Sequence, residues 1–204
     1  MAWSAQNVDR TVSPYRAAKR AGRTLVVDLY TAEVLELLTD YGRLPQPGID
    51  NFKVVITASM ARIYKRTGRA DFVDRMATGG RGISTVTLES NRSNWVVMLR
   101  DSLRRDYEKK GVTPTAQDAW SWSMWKGYLK DIAPEFLGWL GDSQPRHIRT
   151  SGHASPADLR AFAPAVAPDK LVPIHSFTWD ENTEGFPPVM AAVIRISFSV
   201  AAPQ

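Results

Sequence analysis

Four short apolar runs rich in β-branched residues constrain the fold of this chain more than any other feature. They are TLVVDLY at 24–30, KVVIT at 53–57, WVVML at 95–99 and KLVPIH at 170–175. Each is short enough for a strand, and their continuous apolar character reads as strands buried on both faces rather than strands with one wet side. Helical patterns fill the gaps. Residues 7–21 place Val8, Val12, Tyr15 and Ala18 on one side, with Pro14 expected to kink the helix and Gly22 to cap its end. Thr31 is the expected cap of the next helix, which carries Glu33 early and Val34, Leu35, Leu37 and Leu38 behind it. LPQPG at 44–48 breaks the chain, and helices follow over 59–66, 71–77 and 101–109. Residues 119–125 read as a strand and 128–140 as one amphipathic helix with Leu129, Ile132, Phe136, Leu137 and Leu140 apolar. Strand and helix alternating at this spacing means βαβ units. The expected fold is α/β, with a mostly parallel Rossmann-like sheet and flanking helices.

The last third repeats the theme. Residues 147–152 read as a strand entering a loop, and 155–167 as a helix. Ser155 is its expected N-cap, Pro156 its first residue and Asp158 its capping-box acid, with Pro164 expected to end or bend it. Residues 170–175 are the next strand. His153 follows the first of these strands and His175 ends the second. A helix between parallel strands makes a right-handed crossover, so both strand ends share one edge of the sheet. Adjacent strands lie about 4.8 Å apart. The two imidazoles are therefore expected in one pocket, with the helix N-terminus aimed into it as an anion site.

Composition narrows the partners. The 204 residues carry 26 Lys and Arg against 21 Asp and Glu, a net charge of +5 at pH 7. Arg10, Arg16, Lys19, Arg20 and Arg23 cluster near the start with Asp9 alone opposing them. That balance favours polyanions such as RNA or other nucleic acid. Trp122 and Trp125 beside Lys126 are the best candidates for stacking bases; the other tryptophans, Trp95 and Trp139 among them, read as core. With no cysteine, disulfides and thiolate metal sites are excluded. No apolar run reaches the roughly 18 residues that a membrane span needs, and the first ten residues lack a signal-peptide pattern. A cytoplasmic protein with no membrane partner is expected. GGRG at 79–82 lacks the context of a phosphate loop and reads as a turn. Ser151 has no GxSxG elbow around it, so serine hydrolysis is not expected.

These residues carry a family resemblance. Ser151-Gly152-His153-Ala154 and Pro173-Ile174-His175, separated by a helix, resemble motifs B and C of the β-CASP family of metallo-β-lactamase-fold nucleases. Upstream, Gln6-Asn7-Val8-Asp9-Arg10 resembles the family's Ser/Gln-Asn-x-x-Arg segment, and residues 123–129 resemble the return to the hydrolase core. The resemblance implies a β-CASP domain over 1–145 and the C-terminal, βαβ part of the metallo-β-lactamase domain over 146–204. It implies zinc as cofactor, with His175 as a metal ligand and His153 as the catalytic residue that contacts the scissile phosphate or protonates the leaving group. Arg149, Ser151, Gly152, His153 and Ser155 are the implied phosphate-binding set, Arg149 standing where the family has a second histidine. The implied reaction is zinc-activated attack of water on an RNA phosphodiester. The family's HxHxDH motif is not found among these residues, and one histidine cannot make a zinc site. The chain is therefore expected to be inactive alone, with a separate metallo-β-lactamase half or a second copy of itself as partner. The alternative is a non-catalytic nucleic-acid-binding module.

Overall fold

The computed structural model describes residues 1–124, 127–131, 134–141, 145–148, 154, 156–169, 171–172 and 183–189. The chain forms two compact units, Met1–Thr150 and Ser151–Gln204.

The first unit begins with α1 (Asp9–Arg20), β1 (Thr24–Asp28), α2 (Leu29–Leu37), β2 (Phe52–Val55), α3 (Ala58–Arg66), α4 (Ala70–Ala77) and β3 (Gly82–Ile83). It continues through α5 (Thr85–Ser90), β4 (Trp95–Val97), α6 (Asp101–Glu108), β5 (Ser121–Trp122), α7 (Gly127–Asp131), α8 (Pro134–Trp139) and β6 (Arg146–His147). The four strands β3-β2-β1-β4 form one parallel sheet in that order, and β5 and β6 form a second parallel pair. The expected α/β architecture, with a mostly parallel sheet flanked by helices, is what the chain adopts.

Parallel strands need both faces covered, and the register shows how this is met. Leu25 pairs with Phe52 and Val27 with Val54, and these four pack against the layer containing α1 to α4. Val26, Val55 and Ile83 point the other way, into a second core with Leu88, Leu103, Tyr107 and Trp122. Period-two alternation on a strand apolar throughout thus builds two cores from one sheet.

The N-terminal segment joins the two sheets. Ala2 bridges Leu99 on one side and Trp122 on the other, parallel to both. The Leu99 N–H donates to the Met1 carbonyl at 2.7 Å, the Ala2 N–H to Ser121 O at 2.8 Å, and the Ser123 N–H to Ala2 O at 2.9 Å. Trp3 is buried and its indole N–H donates to Thr11 Oγ1 at 2.9 Å, which anchors α1 to the same seam. The Met1 amino group is buried too, and it donates to Val97 O at 2.8 Å.

Several elements differ from the sequence expectation for identifiable reasons. Asp28, not Thr31, caps α2: its carboxylate accepts from the Thr31 N–H at 2.7 Å, so the helix starts where an ionised acceptor is available. α1 runs unbroken through Pro14, whose buried ring offsets the missing hydrogen bond. Of the single helix expected over 128–140, Gly127–Asp131 and Pro134–Trp139 are helical, and residues 132–133 lie outside the described residues. The β-branched TVTLES segment, unexpected as a helix, is nucleated by Ser84, whose hydroxyl accepts from the Thr87 N–H at 3.1 Å. The turn at 79–82 is present at Gly79 and Gly80, both at positive φ, but Gly82 already belongs to β3.

The second unit contains α9 (Pro156–Val166), which continues two residues past Pro164. Leu171 bridges Val189 in parallel, and Arg160 donates to the Glu184 carbonyl at 2.9 Å while its guanidinium lies over the Phe186 ring.

Two outcomes follow from this packing. A Cβ on Gly82 would stand 2.7 Å from the Met76 carbonyl oxygen and 3.3 Å from Ala77 Cα, both backbone. Gly82→Ala should lower the unfolding free energy by about 1–3 kcal/mol in urea titrations; an unchanged midpoint would mean that β3 can move away freely. Burial pulls the Met1 amine down to about 5 from an ordinary value of 8.0. Between those values the unfolded chain binds more protons than the folded one, so this term makes stability rise with pH. Urea midpoints should increase from pH 5 to pH 8, with the contribution fully present above pH 8; a flat or falling profile would contradict it.

Candidate functional site at the carboxyl edge of the sheet

In an open parallel sheet, ligands bind beyond the carboxyl ends of the strands where the strand order reverses. Here the order reverses at β1, with β2 on one side and β4 on the other. A cleft of about 380 Å³ opens at that edge. Its walls are the residues that follow the strand ends: Tyr30 after β1, Leu99 to Asp101 after β4, Met124 after β5, and Trp3 to Gln6 after the bridging N-terminal segment.

The cleft is lined mainly by apolar groups, and a charged pair stands beside it. Asp28, 1% exposed at the end of β1, uses Oδ1 to cap α2 and has Oδ2 3.4 Å from Arg100 Nε. Arg100 also lies over the Tyr30 ring, 5.6 Å from its centroid. Tyr30 in turn accepts a long hydrogen bond, 3.4 Å, from the Gln6 side-chain amide. A buried carboxylate is thus ion-paired with the guanidinium, without a hydrogen bond to its Nε, and an aromatic face supports it. Among the described residues the two terminal nitrogens of Arg100 have no hydrogen-bond partner. A planar cation held this way suits a bidentate anion such as a phosphate or carboxylate.

Two segments far apart in sequence meet here. Asn7 accepts from the Arg10 N–H at 3.1 Å and so shapes the start of α1. The Arg10 guanidinium donates to the Ser123 carbonyl, across 113 residues. His147, at the end of β6, contacts the Met124 carbonyl through Nε2 at 3.1 Å. The polar segment 6–10, the return segment at 123–124 and the end of β6 are thus tied to one edge.

The residues singled out by sequence stand differently. Arg149, Ser151, Gly152, His153, Ser155 and His175 lie outside the described residues, as do Trp125 and Lys126. Of the tryptophans proposed to stack bases, Trp122 is 1% exposed, with its indole inside the second core and against the inner wall of the cleft; it is not a free stacking platform. It is buried because β5 is an inner strand, paired with Ala2 on one side and β6 on the other, and its role is packing. Asp28 and Arg100 were missed by sequence reading. The available signal was an acidic residue at the end of an otherwise apolar strand, and a basic one directly after the next strand in the sheet. Among the described residues no group of three or more His, Cys, Asp or Glu side chains is placed to hold a metal, and no helix is long and apolar enough to cross a membrane.

Comparison of the chain with models of protein families, with curated proteins and with solved structures returned no match.

The Asp28–Arg100 pair can be tested directly. Arg100→Ala leaves a buried carboxylate without its cation and should cost about 3 kcal/mol of unfolding free energy. The double variant Asp28→Ala/Arg100→Ala should cost clearly less than the two single losses added together, because the stranded charge is gone. Additive losses would show that the two groups are not coupled.

Proposed function

We propose that this chain is part of a zinc-dependent hydrolase of RNA phosphodiesters, with the β-CASP form of the parallel sheet as its nucleic-acid-binding part. One observation carries the reading. Residues 6–10 and 123–124, from the two upstream segments that resemble that family, meet in the first unit: Arg10 donates to the Ser123 carbonyl, and Gln6 and Met124 line the cleft where a parallel sheet binds ligands. The basic helix α1 begins at the same edge, and its Arg16, Lys19 and Arg20 are exposed.

In this reading the first unit holds the RNA backbone. Arg100 meets a phosphate at the cleft, and the cations of α1 add a sequence-independent attraction that salt weakens. By the resemblance, His153 would contact the scissile phosphate, Arg149, Ser151, Gly152 and Ser155 would bind phosphate, and His175 would be a metal ligand. Bound zinc would activate water and offset charge on the phosphate. A zinc site needs three or four ligands. The described residues supply no such group, and the whole chain holds three histidines and no cysteine. The resemblance supplies one ligand, His175, so in this reading the others come from a metallo-β-lactamase half or another chain. The second reading, a non-catalytic nucleic-acid-binding module, shares the same cleft and differs only in having no hydrolytic partner.

A binding titration tests the shared core of both. The isolated chain should bind single-stranded RNA with an affinity that falls at least tenfold between 50 and 200 mM salt. Reversing the exposed cations, with Arg16→Glu, Lys19→Glu and Arg20→Glu together, should reduce that salt dependence without lowering the melting temperature. Binding absent at low salt would remove both readings. Stoichiometric zinc in the isolated chain, by elemental analysis, together with RNA cleavage by it, would overturn the claim that it is inactive alone.

A further inference from the structure

A cavity of about 250 Å³ lies at the amino edge of the sheet, where Arg23 precedes β1, Trp95 opens β4 and Ser121 opens β5. Its walls are largely apolar, with Leu88, Val112 and Leu140 among them, and an apolar hollow calls for no ligand. The carboxyl-edge cleft differs, because it joins apolar walls to a cation that lacks a hydrogen-bond partner. Trp3, Trp122 and Phe136, each 1% exposed, form its fixed aromatic side, and Leu99 and Met124 add aliphatic surface. The Trp3 indole N–H is already given to Thr11, so that ring makes no further polar demand. The cleft's volume of about 380 Å³ falls in the roughly 300–1,000 Å³ range of small-molecule sites.

Arg100 is the cation of that lining, and its side chain is 24% exposed. Its Nε is buried beside Asp28 and closed to a ligand. Its two terminal nitrogens are neither buried nor bonded among the described residues, so they are the atoms the guanidinium leaves open. A neutral ring filling the cleft would displace water from these donors and give nothing back. A ring that carries an oxyanion supplies the acceptor, in a charge-assisted pair of hydrogen bonds. Local charge sets the limit. Asp28 is paired with Arg100, and Asp101, also in the lining, with Arg104. Each cation already has a carboxylate, so a second negative charge on the ligand would meet no cation of its own.

We propose that the carboxyl-edge cleft binds a small aromatic molecule with one singly charged oxyanion, as in an aromatic carboxylate. The ring lies against the wall of Trp3, Phe136 and Met124, and the oxyanion accepts from the two terminal nitrogens of Arg100. The RNA reading puts a phosphate at the same guanidinium, but this inference rests on the lining of the cleft and not on the nuclease assignment.

Calorimetric titration of the chain with 2-naphthoate tests it, beside neutral 2-naphthamide and 2-naphthyl phosphate, which is doubly charged at pH 8. 2-Naphthoate should bind at least tenfold tighter than the amide, the effect of a charge-assisted pair, and tighter than the phosphate. Arg100→Lys keeps a cation beside Asp28 but loses the planar fork; it should weaken 2-naphthoate about tenfold and leave the amide unchanged. The Met124 methyl signal, assigned with Met124→Leu, should move upfield on binding, because the ligand ring then faces that wall. Amide equal to 2-naphthoate would show that Arg100 holds no oxyanion. Tighter binding of the phosphate would overturn the single charge. A Met124 methyl unmoved by bound 2-naphthoate would put the ligand elsewhere, and no binding at millimolar concentration would remove the proposal. Salt-dependent RNA binding by a chain that ignores 2-naphthoate would leave the RNA reading standing without this one.

Discussion

The first residues of the chain hold backbone hydrogen bonds on both sides, to Leu99 through the Met1 carbonyl and to Ser121 and Ser123 of the β5 segment through Ala2. Without this one residue pair of edges the four-stranded sheet would end at β4, and β5 with β6 would be an isolated two-stranded piece, too small to stand alone in water. With it, the strand β4 gains a partner on its second side and the second core can extend from Val26 to Trp122. The burial of Trp3 and of the Met1 amine shows how completely the segment is absorbed. Everything else in the first unit is arranged around that seam: α1 hangs from it through Thr11, and both cavities are lined by residues that touch it.

A parallel sheet has two unlike edges. All its strands end together, and the loops after them converge, so the carboxyl edge collects polar groups from distant parts of the chain. In this protein that edge holds Asp28, Arg100, Gln6 and Tyr30, linked by an ion pair, a cation–π contact and a hydrogen bond. The amino edge holds a different chemistry, aromatic and largely apolar, built from the end of α6, the start of β4 and the end of α8. The different linings of the two edges follow from strand direction rather than from any local motif.

Much of the fold was legible because buried parallel strands leave a plain trace. TLVVD, KVV and WVV are apolar without alternation, and the helices between them carry their own periodicity. The expected strands at 24–30, 53–57 and 95–99 correspond to β1, β2 and β4, each ending two residues earlier than expected because a helix or loop claims the end. The errors have physical sources. Asp28 outcompeted Thr31 as a cap because a carboxylate is the better acceptor for the amides of a first turn. Ser84 made the β-branched segment 85–90 a helix by capping it, which periodicity alone does not register. The candidate site was less legible. The histidine motifs at 151–155 and 173–175 stand out in sequence, whereas Asp28 and Arg100, 72 positions apart by their numbers, have no local pattern that joins them.

The sequence by itself determined that strands and helices would alternate, that β1 and β2 would be buried on both faces, and that the chain would carry a net positive charge. Those are properties of neighbouring residues, decided by side-chain volume, branching and charge. Tertiary structure alone decided that the first three residues would lie between β4 and β5, that Trp122 would be core rather than a surface for bases, and that Asp28 would meet Arg100. Each of these depends on which strand lies beside which. Strand order is set by the free energy of covering both faces of the whole sheet at once, and no single segment carries that information.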